Sequence, residues 1–223
     1  MFHKNSSENR DSLPNIKKIV NAKDWKFLVK NTLPVNIADI YSFSEAMHIV
    51  DFLIDSSVEE MIEDGFTADL MRDYSVNLMN VLRAKYSHEW EKDWKNEAYL
   101  GITCGLVFRA EEAFQHIEKA YKQLENPPQS LILAYISAGS GPDQYLTKKQ
   151  ITELSQNAVE QGVTYETSLR MATLAKKNRD TEKQNYWENK AAEAEKNGVH
   201  TPIIIPNVMK DAINREDRRR YEV

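Results

Sequence analysis

Residues 98–124 read AYLGITCGLVFRAEEAFQHIEKAYKQL, and Pro127-Pro128 follow shortly after. Residues 98–106 spell a helix rich in small side chains, and residues 111–124 spell a second that ends before the prolines. Gly101, Ala113 and Ala120 carry the reading, because helix axes approach to about 8 Å only where the contacting side chains are small. The second helix bears Lys119-Ala120 late in its course, and the same placement returns at Asn157-Ala158 and Lys190-Ala191. Those alanines stand 38 and 33 residues apart, periods that belong to helix-hairpin repeats. The stretch predicts an all-α chain whose later part is built of paired helices.

The pairs can be followed through the chain. Residues 130–138 form a third helix, broken at Gly139-Ser-Gly-Pro142. Thr147-Lys-Lys-Gln150 has capping-box spacing for a fourth that reaches Gln161. Residues 166–177 make a fifth, and Thr181-Glu-Lys-Gln184 caps a sixth that runs to Gly198. Leu100-Gly101, with Ala113 and Ala120, resembles the tetratricopeptide pattern. Tyr135, Gly139-Ser-Gly141, Asp143 and Ala158-Val-Glu-Gln-Gly162 resemble its Sel1-like variant. So do Asp180, Lys183 and Trp187-Glu-Asn-Lys190-Ala-Ala-Glu193, although this third unit lacks the Gly-x-Gly turn. The resemblance covers residues 97–198. It implies a short α-solenoid that binds proteins or peptides, with the first helix of each pair lining a concave groove. On that implication Tyr135, Thr173, Lys176 and Lys177 are the partner-binding residues.

Working outward, residues 24–33 form a short amphipathic piece ended by Pro34. Ser42-Phe-Ser-Glu45 caps a helix within residues 44–54, and Ser56-Ser-Val-Glu59 repeats the signature for a short one stopped by Gly65. Residues 67–86 place Leu70, Met71, Tyr74, Leu78, Val81 and Leu82 on one stripe. Trp90 and Trp94 follow at i and i+4 and read as core packing. The expected organisation is a polar lead at 1–22, an irregular helical region at 23–95, three hairpins at 96–198 and an extended tail at 199–223. In that tail Thr201-Pro-Ile-Ile-Ile-Pro206 cannot be helix interior. Its isoleucines are expected to dock, either on the last hairpin near Trp187 and Ala191 or on a partner.

Composition narrows the function. The 223 residues are 41% apolar, with 29 basic against 34 acidic side chains for a net charge of -5. That balance argues against nucleic acid as the principal partner. The arginines of Arg218-Arg-Arg220 are largely offset by Glu216, Asp217 and Glu222, and the lysines between Lys17 and Lys30 read as a solvated face. Only seven glycines are present, too few turn residues for a β-sandwich or barrel. Mean hydropathy is -0.61, no apolar run is long enough to cross a bilayer, and residues 1–15 hold no secretory apolar core. With the single Cys104, these features predict a cytoplasmic protein.

No catalytic constellation stands out. His3, His48, His88, His116 and His200 lack metal-ligand spacing. His116 reads as a solvated partner of Glu112, four residues earlier on the same helix, and His48 as half-buried. Cys104 reads as a small core residue, and Ser140 lacks the nucleophile-elbow pattern. The sequence therefore predicts a non-enzymatic protein- or peptide-binding adaptor with neither cofactor nor metal. The alternative is an acidic helical inhibitor, comparable to an immunity protein, that occludes a basic enzyme or toxin. For that role Glu59-Glu60 and Glu63-Asp64 would supply electrostatic steering.

Overall fold

A computed structural model of the chain describes residues 13–141 and 143–203. Among the described residues there are twelve α-helices and no strand, and no helix is long and apolar enough to cross a membrane. The chain divides into two compact units, the first ending at Asp93 and the second beginning at Trp94.

The first unit holds α1 (Leu13–Asn21), α2 (Trp25–Asn31), α3 (Pro34–Ile40), α4 (Phe43–Glu63), α5 (Gly65–Lys85) and α6 (Ser87–Glu91). Its centre is the α4–α5 hairpin, onto which α2, α3 and α6 fold through contacts with α5. Val50, Leu53, Met71, Leu78, Met79 and Leu82 are fully buried there. The capping box at Ser42 forms: its hydroxyl accepts from the Glu45 N–H, and the Glu45 carboxylate accepts from the Ser42 N–H. Four local expectations need correcting. Residues 13–21, read as polar lead, form α1 and bury Ile16. The piece before Pro34 closes at Asn31, earlier than read, and the proline itself opens α3 at a position whose N–H would be unbonded anyway. Ser56 does not start a helix, because α4 runs on to Glu63 and the neighbouring Ser57 hydroxyl donates to the Ile54 carbonyl inside it. Gly65 stops no helix; Asp64 caps α5 by accepting from the Thr67 N–H.

The second unit holds α7 (Trp94–Leu106), α8 (Ala110–Lys122), α9 (Gln129–Gly139), α10 (Lys148–Gln161), α11 (Tyr165–Lys177) and α12 (Thr181–Lys196). The helices pack in neighbouring order, most extensively α7 on α8 and α11 on α12. Ala120, Ala158 and Ala191 are all buried, as their spacing predicts. Gly101 shows why small residues are needed: a Cβ there would lie 2.9 Å from the Ile117 backbone nitrogen and 3.0 Å from the Ala113 carbonyl oxygen. The two tightest pairs share one turn. After α7 and after α11 come three residues, the second of which is left-handed: Phe108 at φ 62° and Arg179 at φ 59°. The third donates its N–H five residues back, Arg109 to Cys104 and Asp180 to Ala175, and then caps the next helix. The cap of α12 is thus Asp180 rather than Thr181. The α9–α10 link is longer, spanning residues 140–147, and Leu146 folds back against Gly139, where a Cβ would meet it at 2.4 Å.

Candidate functional site

Tyr135 is not a groove residue. It is 6% exposed, with its ring stacked on Phe114 and Tyr121 at 5.6 and 4.7 Å and its hydroxyl donating to Glu118. Burial and that carboxylate push the phenol well above its ordinary value. Thr173 is half-buried, while Lys176 and Lys177 are exposed in the last turn of α11. Sequence reasoning therefore places one residue of four in the core.

The histidines also sort differently. His48 and His88 are exposed, and His3 lies outside the described residues. His116 bonds not Glu112 but Glu97 on α7, at 2.8 Å, and Lys119 joins the same carboxylate at 2.6 Å. Glu97 is fully buried and is held by charge-assisted bonds across the hairpin. Cys104 is buried, as read. Among the described residues no three His, Cys, Asp or Glu side chains group as a metal site.

A polar hub ties the segment after α12 to the second unit. Gln129 at the start of α9 donates to the Ala158 and Gly162 carbonyls and accepts from the Thr201 hydroxyl at 2.7 Å. Thr164 bonds Thr201 at 2.8 Å, and Glu166 accepts from the Thr201 N–H while contacting His200. The described start of the tail thus docks through Thr201 beside Gln129. Ile203 stays 39% exposed, and Ile204, Ile205 and the arginine run lie outside the described residues.

Two features of the first unit face solvent. At the α4–α5 corner, Val58, Met61, Ile62 and Phe66 are exposed, Ile62 at 90% and Phe66 at 72%, interspersed with exposed Glu59, Glu63 and Asp64. Adjoining that corner through Glu59 and Glu63, a cleft of about 360 Å³ is lined by Trp25, Lys26, Glu59, Glu60, Glu63 and Met71 among others. Asp24 caps α2 and so sets Trp25 and Lys26 at its rim, and Trp25 stacks on Phe52 at 5.7 Å. Glu60 is only 7% exposed. Its Oε2 takes the Lys26 ammonium at 2.8 Å, which raises the lysine's pKa, while its Oε1 has no hydrogen-bond partner. The sequence marks residues 59, 60 and 63 as acidic, but not that Glu60 alone of the three turns inward. No family model, curated protein or solved structure matches the chain.

Proposed function

We propose that the chain is a non-enzymatic helical protein that binds a protein or peptide in the cytoplasm, and that the α4–α5 corner is its principal contact. The observation supporting this is the grouping of Val58, Met61, Ile62 and Phe66 in solvent within nine residues of sequence. Single exposed apolar side chains are ordinary, but a contiguous group marks an interaction surface. Because it is rimmed by Glu59, Glu63 and Asp64, the surface suits a partner segment carrying apolar and basic side chains together. In the adaptor reading, hairpins of tetratricopeptide or Sel1-like kind in the second unit add a groove near Lys176 and Lys177.

The same acidic rim favours the second reading, an inhibitor occluding a basic enzyme or toxin. Affinity capture with the intact chain, compared with an Ile62→Asp, Phe66→Asp variant and a Lys176→Glu, Lys177→Glu variant, tests both. Loss of the captured protein with the first variant alone supports the corner as the contact, and loss with the second alone moves it to α11. Capture unchanged by either variant overturns the reading of these surfaces. A steep fall of affinity with salt favours the inhibitor over the adaptor.

A further inference from the structure

We infer that the cleft beside α2 and α4 is a receptor for one arginine side chain of the partner, whose guanidinium replaces Lys26 on Glu60. This rests on the protein-binding reading above and names the chemistry the partner must present.

The argument begins with the unsatisfied oxygen. An ionised carboxylate offers about four lone-pair sites, and a buried one left short of donors is costly. Glu60 is buried by the packing of α4, yet only Oε2 is served, by a lysine whose side chain is half in solvent. Lysine is a compact point charge and cannot span both oxygens. A guanidinium presents two parallel N–H donors at the spacing of a carboxylate, so it would satisfy Oε1 and Oε2 together.

The surroundings fit the same group. Trp25, held flat against Phe52, provides an apolar wall on which a guanidinium plane and its methylene stem can lie, with the buried Met71 beneath the cleft. Four acids, Asp24, Glu59, Glu60 and Glu63, line the cleft against two lysines. Of the lysines, Lys23 has its ammonium 5.5 Å above the Phe52 ring. Lys26 lies 3.9 Å from Glu63, beyond hydrogen-bonding reach. A cleft of about 360 Å³ is at the small end of ligand pockets and suits a side chain rather than a folded element. A metal is disfavoured, because these carboxylates do not gather as three ligands. Lys26 then acts as a resident competitor that keeps Glu60 neutralised until the partner's arginine arrives.

The test is an NMR titration of the full chain with N-acetyl-argininamide, with N-acetyl-lysinamide as control, read at the Trp25 indole. The arginine probe is expected to shift that resonance and the lysine probe to leave it nearly unmoved. Lys26→Met removes the competitor and is expected to tighten arginine binding roughly threefold or more, whereas Glu60→Gln is expected to abolish it. Should Glu60→Gln fail to fold, Lys26→Met decides, since about half of the Lys26 side chain lies in solvent. Equal response to both probes, or no gain in Lys26→Met, overturns the inference. Capture of a protein partner that persists without any probe response would sink the arginine site while leaving the protein-binding reading intact. A specific probe response without protein capture would do the reverse.

Discussion

Tyr74 is buried in α5, its hydroxyl has no hydrogen-bond partner, and burial alone drives its pKa far upward. Leaving a buried polar group unpaired costs about 1–3 kcal/mol. Tyr74→Phe is therefore expected to be neutral or to stabilise by about 1 kcal/mol, measured as a shift in the urea midpoint at unchanged m-value. A clear loss of stability would show that the hydroxyl is satisfied after all. Residues such as Glu97 and Tyr135 mark where the sequence stops being legible. Periodicity shows that His116 and Glu112 share a helix face, but the true partner is 19 residues away on α7. That choice depends on how far one helix has slid along its neighbour, and nothing local encodes it. Tyr135 sits at a position implied by resemblance to be exposed, and only the arrival of α8 with Phe114 and Tyr121 buries it.

At the scale of elements, local chemistry reads well and interruptions read badly. The boxes at Ser42 and Thr147 form because each closes within four residues. The false start at Ser56 failed because a capping sequence is permissive, and continued packing on α5 keeps the helix going. The left-handed turns were invisible, since Phe108 and Arg179 stand where glycine is usual. Phe108 is 89% exposed, so little packing offsets its conformation. Phe108→Gly is expected to raise stability by about 1 kcal/mol, seen in thermal or urea unfolding; destabilisation would mean the ring has contacts in the folded chain. Two caps make a pH prediction. Asp64 is held below the ordinary carboxylate range chiefly by the Thr67 hydroxyl, and Asp180 chiefly by the Lys183 N–H. A lowered folded-state pKa means the unfolded chain binds more protons, so this stabilisation is present above the unfolded carboxylate pKa and is lost as acid protonates the folded caps. Asp64→Asn with Asp180→Asn keeps a capping acceptor but not the titration. The double variant is expected to show a shallower fall in urea midpoint between about pH 5 and about pH 3 than the parent chain. Parallel curves would refute the assignment.

At the scale of the molecule, the all-helical class was legible from composition and periodicity, and the order of the later helices from small-residue spacing. The docking of Thr201 was not, because an apolar reading draws attention to the isoleucines, while Thr201 docks by filling the open acceptor of Gln129. Thr201→Val keeps the shape and deletes the bonds to Gln129 and Thr164, so a loss of about 1–3 kcal/mol is expected. The bond to Gln129 joins residues 72 apart in sequence, and a contact of that span closes only after the helices between have assembled. It belongs to the downhill side of the folding barrier, where an interaction acts on the escape rate and leaves the entry rate alone. In stopped-flow measurements Thr201→Val is expected to steepen spontaneous opening of the second unit while refolding keeps its parental speed. The threonine would then work as a latch, setting how long the native state survives rather than how quickly it is reached.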